Sequence, residues 1–300
     1  MLNGSTMRYQ GTVYRPPSEA QSLILQATLG CSYNRCSYCA MYLDKRFRPR
    51  PAEELTEDIA MAQAYHGAEN VRRVFLADGD ALILRTSRLL EILDELRAAF
   101  PNLERASVYA SPQAMLKKSV EDIRALKAAG LPLYYTGPET GDAVVMERIA
   151  KGVTPDEFIE GSRRIVDAGA KLSAILLLGI GGVELSEQHA HGSAELINAI
   201  EPRYVSTLTL TPVPGTPIHA EIERGELVLP DEQGILTELR TMLAGFDLPR
   251  GAVFRSNHAS NQLPLGGTLN KDRDALLATL DHVIETPSFP LRPKIDPRFL

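Results

Sequence analysis

Three hundred residues, 44% of them apolar, are enough for one large domain or two small ones with a substantial core. A formal charge of −6 gives no electrostatic ground for a nucleic-acid or membrane-surface partner. No run approaches the ~20 consecutive apolar residues of a transmembrane helix, and the first twenty residues lack the apolar stretch of a signal peptide, so a soluble, cytoplasmic protein is expected.

In chain order, short apolar runs alternate with helical patterns. SLILQATL (22–29) predicts a first strand, followed at once by GCSYNRCSYCAMY (30–42), which holds every cysteine in the chain: Cys31, Cys36 and Cys39. KRFRPR (45–50) adds four cations, read as a solvated loop or as a contact for a substrate anion. Pro51 then opens a helix whose first turn is acidic and whose stop is Gly67. VRRVFLA (71–77) is the second strand. Thr86 precedes a helix with Leu89, Leu93 and Leu96 on one face. RASVYA (105–110) and LPLYYT (131–136) are the next strands, and the helix between them starts at a Ser119/Asp122 cap and stops at Gly130. TPDE (154–157) combines a Thr cap, a Pro at the first helical position and a Glu three residues after the cap, and Gly169 closes that helix. KLSAILLL (171–178) and YVSTLTL (204–210) complete six strands. Beyond about residue 226 lie two further helical patterns, 231–244 and 271–285, separated by a polar stretch, and then a Pro-rich end expected to be extended.

Six β–α alternations imply a parallel sheet, either open or curled into a barrel. The nearly continuous apolar runs agree with strands covered on both faces. Loops that follow strands emerge at the carboxyl ends, where α/β folds place their chemistry. The cysteine loop is such a loop.

Three cysteines within nine residues do not resemble a disulfide framework. Zinc in a closed structural site takes four ligands, so a histidine such as His66 or His258 would have to complete the set. A [4Fe–4S] cluster takes four cysteinyl sulfurs; with three, one iron keeps an open position, which serves an enzyme better than an electron carrier. Three readings stay open on the residues alone: an enzyme with an open iron site, a non-catalytic iron–sulfur electron carrier or sensor, and a zinc-binding α/β enzyme.

The loop resembles that of the radical S-adenosylmethionine (SAM) superfamily. The usual spacing is C-x3-C-x2-C; here the last pair fits, with Tyr38 before Cys39, and the first gap is one residue longer. The resemblance implies a partial (β/α)6 TIM-like barrel of parallel strands over 21–225, an N-terminal extension over 1–20 and a C-terminal α-rich extension over 226–300 that closes the barrel and contributes to the substrate site. It implies a [4Fe–4S] cluster held by Cys31, Cys36 and Cys39, with SAM on the fourth iron.

The same resemblance assigns further residues. Tyr38 packs on adenine or caps the cluster. Asp78, Gly79 and Asp80 (ADGDA, 77–81) take the place of the motif that holds the methionyl amino group. TGPETGDAVVMERIAKG (136–152) is similar to a G-x-E-S-G…K-G segment of relatives, which puts Glu139 against the ribose or methionyl portion. Arg163 or, by preference, Arg164 would meet the carboxylate. Gly179, in LLLGIGG (176–182), would let backbone approach the adenine, and Leu210, in TLTPVPGTP (209–217), belongs to a sixth-strand ending of the same kind. RSNHASN (255–261) resembles a stretch of short superfamily members of uncharacterised substrate.

The implied chemistry is reductive cleavage of SAM to a 5′-deoxyadenosyl radical that abstracts hydrogen from a small-molecule substrate, with a flavodoxin- or ferredoxin-type electron donor. Tyr109, Ser111, Tyr135, Asn257, His258 and Asn261 are the candidate substrate contacts, and His258, Tyr135 and Asn257 the candidate catalytic residues. No cysteine remains for an auxiliary cluster, which disfavours methylthiolation and sulfur insertion. The tail has few aromatic or basic clusters, so RNA binding is not expected.

Overall fold

The computed structural model describes residues 7–286 and 288–294. The first six residues of the expected N-terminal extension, and part of the Pro-rich end, therefore lie outside the described residues. The chain forms two compact units: Met1–Asn34, Met41–Thr136 and Asp167–Lys171 in the first, and Arg35–Ala40, Gly137–Val166 and Leu172–Leu300 in the second.

The first unit contains β1 (Leu23–Gln26), a short ribbon of β2 (Thr28–Leu29) and β3 (Arg48–Pro49), then β4 (Arg73–Ala77), β5 (Arg105–Tyr109) and the start of β6 (Leu133–Glu139). Strands β1, β4, β5 and β6 pair in parallel, in that order, with Leu25 opposite Leu76, Phe75 opposite Ser107 and Tyr109 opposite Tyr135. Period-two alternation sends Leu25, Val74, Leu76, Ala106, Val108 and Tyr134 to one face, and all are fully buried. The helices are α1 (Ala52–His66), α2 (Thr86–Ala99), α3 (Pro112–Met115) and α4 (Val120–Ala128).

The expected helix ends are found at Gly67, which caps α1, and at Ser119, where a capping box forms: Ser119 Oγ accepts the Asp122 N–H and the Asp122 carboxylate accepts the Ser119 N–H. Thr86 is itself the first residue of α2, one position later in the helix than expected.

Before β1, the chain runs along that strand's open edge. The Tyr9 hydroxyl donates to the Ile24 carbonyl at 3.0 Å and the Gln10 N–H donates to Gln26 Oε1 at 2.8 Å, while Arg8 pairs with Glu57 and Asp58 of α1. Glu19 is fully buried and accepts from the Tyr135 hydroxyl at 2.6 Å and pairs with Arg105 at 2.8 Å.

The second unit contains α5 (Ala143–Arg148), α6 (Pro155–Asp167, nearly all in this unit), β7 (Lys171–Leu178), α7 (Ser186–Ile200), β8 (Tyr204–Thr209), α8 (Pro217–Glu223), α9 (Glu232–Gly245), β9 (Ala252–Ser256), β10 (Leu265–Leu269) and α10 (Arg273–Ile284). Strands β7, β8 and β9 are parallel neighbours, and β10 returns antiparallel on β9. A core of Val145, Ile149, Leu177, Ile180, Leu210, Ile218 and Leu227 packs beneath Tyr38. Helix α7 comes so close to the end of β6 that a Cβ on Gly141 would lie 2.0 Å from the Gly192 carbonyl oxygen.

The tail departs from expectation in one respect. Its two helices are present, but the polar stretch between them supplies β9 and β10. Neither strand carries a strong local signal: AVFRS is five residues long, and LGGTL holds two glycines, which weaken a strand. Pairing between the two, and the Thr268 N–H donated to Asp272 at 2.8 Å, supply what propensity does not. Among the described residues, no helix is long and apolar enough to cross a membrane.

Candidate functional site

In the first unit the loop after β2 carries Cys31, and the loop after β4 carries Asp78, Gly79 and Asp80. Asp78 is fully buried; its Oδ2 accepts from Lys45 Nζ at 2.8 Å, the Gly30 N–H at 3.1 Å and Gln26 Nε2 at 3.2 Å. Its Oδ1 is also buried and has no hydrogen-bond partner among the described residues. Asp80 accepts from Ser32 Oγ, one residue past Cys31, and from the N–H and Oγ of Ser111 at the end of β5. Burial pushes the Asp80 carboxyl above its ordinary range, against the pull of the two serines. The two acids therefore tie the start of the cysteine loop to β4 and β5. Gly79 is required sterically, since a Cβ there would fall 2.5 Å from the Tyr42 ring.

The four cations at 45–50 divide in the same way. Lys45 is consumed by Asp78, and Arg50, buried, by Glu54 and Asp58; Arg46 and Arg48 are exposed.

In the second unit the remainder of the loop carries Cys36 and Cys39. The Cys39 N–H donates to the Cys36 carbonyl at 3.2 Å, and Ser37 is pinned on both sides, its N–H to the Ile149 carbonyl and its carbonyl to the Ile218 N–H. Between the cysteines, the Tyr38 hydroxyl donates to Glu139 Oε1 at 2.7 Å and accepts from Lys151 Nζ at 3.1 Å; Lys151 Nζ also reaches Glu139 Oε1 at 3.2 Å.

Glu139 closes β6 with φ +67°, and a Cβ on Gly137 would lie 1.9 Å from its Oε1. The Gly-x-Glu spacing thus has a physical reason: the carboxylate folds back over the position that Gly137 leaves empty. Burial works against the Lys151 charge, but Glu139, Cys36 and Cys39 outweigh it and hold its pKa above the ordinary lysine value. Burial also raises the Cys36 thiol, with Lys151 pulling the other way.

Lys151 is the residue that sequence reasoning passed over. It stands in the quoted segment as the K of K-G, and only the fold shows that it meets Tyr38 and Glu139. Leu210 is a core residue of the cluster under Tyr38. Arg164 pairs with Glu160, one turn earlier on α6.

Gly179 follows β7 with φ +79°, and its N–H donates to Glu238 Oε1 at 2.7 Å. Glu238 comes from α9 and is 2% exposed. Fully buried His189 brings Nε2 to 3.5 Å from the same oxygen, too long for a hydrogen bond. Burial pushes Glu238 up to about 7 and His189 down to about 4.

These shifts have opposite consequences for stability. Glu238 is protonated in the folded protein where it would ionise in the unfolded chain, so its contribution is lost as pH rises from about 4.5 to about 7. His189 is neutral in the folded protein where it would be charged in the unfolded chain, so its contribution is lost as pH falls from about 6.5 to about 4. Unfolding free energies measured across this range should show Glu238→Gln gaining on the parent as pH rises, and His189→Gln gaining as it falls, with limiting slopes of ~1.4 kcal/mol per pH unit.

The candidate substrate residues fall in both units: Tyr109, Ser111 and Tyr135 in the first, Asn257, His258 and Asn261 in the second. The Tyr135 hydroxyl is taken by Glu19 and Ser18, and its ring stands edge-on to Tyr109 and Phe75. Ser111 caps α3 as well as holding Asp80. Asn261 is buried and links Thr207, Thr209 and Ser256. His258 turns Nδ1 onto the Ser260 N–H at 3.2 Å, and burial lowers its pKa. Asn257 is exposed and lines an open cavity of about 410 Å3 with Arg255, Thr268 and Asp272. Among the described residues, no group of three or more His, Cys, Asp and Glu side chains is placed to hold a single metal ion.

Known proteins define the class to which this fold and loop belong. The Radical SAM superfamily model matches residues 25–191, more than half of the chain, and the chain belongs to that superfamily. It is 24% identical over 195 residues to an uncharacterized methyltransferase of Pyrococcus horikoshii, covering 64% of this chain and 40% of that protein. It is 22% identical over 207 residues to the heme chaperone HemW of Bacillus subtilis, covering 66% and 53%. The chain thus spans about half the length of the curated relatives it matches. Among solved structures, methylornithine synthase superposes with a TM-score of 0.54 at 18% identity over 86% of this chain and 68% of that one. Coproporphyrinogen III oxidase of Escherichia coli gives 0.54 at 13% over 74% and 51%. The fold is the mostly parallel α/β, TIM-like partial-barrel class of these neighbours, and superfamily membership implies a [4Fe–4S] cluster and SAM.

Proposed function

We propose that this chain is a radical SAM enzyme acting on a small molecule, with Cys31, Cys36 and Cys39 as the ligands of a [4Fe–4S] cluster. The observation that carries the reading is the position of Tyr38, between Cys36 and Cys39, with its hydroxyl bonded to buried Lys151 and Glu139. Three thiolates bring excess negative charge, and a fixed cation beside two of them offsets it. When bound, the cluster and SAM supply one-electron chemistry: reductive cleavage of SAM, then hydrogen-atom abstraction from the substrate, the electron coming from a flavodoxin- or ferredoxin-type donor.

The chain's own residues bind, orient and exclude water. The unused acceptor Asp78 Oδ1 suits the methionyl amino group, with Gly79 and Asp80 shaping that loop. Tyr38, Gly179 and Leu210 form apolar and backbone surface for the nucleoside, and Glu139 sits beside it. Arg164 remains the candidate for the carboxylate. On the substrate side, Asn257 opens onto the cavity beside β9. His258 accepts at Nδ1 and so carries its hydrogen on Nε2, which supports an anchoring role. The engagement of Tyr135 with Glu19 supports a structural role.

Anaerobic reconstitution with iron and sulfide, then dithionite reduction with SAM present, tests the proposal by chromatography of the products. A brown protein that releases 5′-deoxyadenosine is the expected result. A brown protein that releases none after full reduction favours an iron–sulfur carrier, and a colourless one with stoichiometric zinc favours the zinc enzyme.

A further inference from the structure

We propose that Glu238 and His189 are positioning residues, which set the loops after β6 and β7 against each other and thereby shape the nucleoside end of the SAM site. The inference rests on the reading above and adds residues that no motif of the superfamily assigns in this chain. Glu238 lies on α9, outside the stretch matched by the superfamily model.

Strand β7 ends at Leu178, so the N–H of Gly179 leaves the sheet with no strand partner, and a buried N–H needs an acceptor. Glu238 Oε1 supplies it at 2.7 Å from 59 residues away. The other oxygen, Oε2, accepts from the hydroxyl of Ser186, the first residue of α7. One carboxyl group therefore clamps both ends of the turn 179–186.

His189 carries the reference to the loop after β6. Its Nδ1 lies 2.8 Å from Thr140 Oγ1 and 3.3 Å from Ser193 Oγ. Those hydroxyls accept the N–H groups of Asp142, at 3.0 Å, and Gly141, at 3.1 Å. Both hydroxyls thus keep a hydrogen that can point at Nδ1, while Nε2 lies 3.5 Å from Glu238 Oε1 without a hydrogen bond. Thr140, Ser193 and His189 are each fully buried. Glu139, which pairs with Lys151, is the residue immediately before Thr140. A residue needed only for packing at the Glu238 position would be apolar, because burying a carboxyl costs free energy that its two partners, the Gly179 N–H and the Ser186 hydroxyl, offset.

The test uses the full chain, anaerobically reconstituted, and isothermal titration with three probes: SAM, 5′-deoxyadenosine and methionine. Glu238→Ala should weaken SAM and 5′-deoxyadenosine by roughly tenfold and leave methionine binding and iron content unchanged. Glu238→Gln keeps an oxygen for the Gly179 N–H and should stay within about threefold of the parent. If Glu238→Ala fails to fold, Ser186→Ala removes only the donor to Oε2 and should show the same split at smaller amplitude. Unchanged 5′-deoxyadenosine affinity in these variants, or equal losses for both fragments, overturns the inference while the functional reading stands. A parent protein that binds neither SAM nor 5′-deoxyadenosine overturns that reading, and the inference with it.

Discussion

Replacing Cys36 with alanine is expected to reduce bound iron to roughly a tenth of the parent level and to abolish 5′-deoxyadenosine formation. With the proposed ligand set, the substitution leaves two thiolates for a cluster that already lacks a fourth cysteine, and the chain has no spare to recruit. The surrounding fold should survive, because the segment is held through backbone bonds of Ser37 to Ile149 and Ile218, none of which involves the Cys36 sulfur. Iron analysis, the visible absorption of the reconstituted protein and product chromatography give three readouts. Retained turnover with a normal iron content would remove Cys36 from the ligand set.

Lys151→Met carries the largest expected cost in stability. The ammonium is buried, and its removal leaves Glu139 in the interior with the Tyr38 hydroxyl as its remaining donor in the cluster. Breaking a buried pair from one side costs about 3–5 kcal/mol, which for a chain of this size lowers the melting temperature by roughly ten degrees. The double variant Lys151→Met with Glu139→Gln should recover much of that loss, because no charge is then stranded. Thermal melts of the apo-protein check both. A double variant no more stable than the single one would show that the charge pair is not the source of the effect.

Much of the architecture was legible because local signals and tertiary structure agree. KLSAILLL coincides with β7 to the residue, the Ser119 box closes as its spacing requires, and the cysteine loop follows the first apolar run, which the structure divides into β1 and the short β2. The β9–β10 hairpin was not legible, because its stability comes from cross-strand pairing between segments of low propensity. Within the site, residue types were readable and their commitments were not. Nothing local distinguishes Tyr135, bound to Glu19, from a tyrosine free for chemistry, or shows that Lys45 belongs to Asp78. Lys151 and Glu139 are twelve residues apart, and the turn at Ala150, with φ +52°, separates α5 from the lysine. No pattern in the chain announces that meeting.

The chain that runs beside β1 has a consequence for how the protein behaves when crowded. A strand with one unpaired side is a template on which a second copy can add its own backbone, the first step toward fibrous aggregates. Here Tyr9 and Gln10 occupy that side through the Ile24 carbonyl and the Gln26 side chain, and Arg8 anchors them to α1. The residues ahead of the first strand thus cover part of that edge without forming a strand themselves.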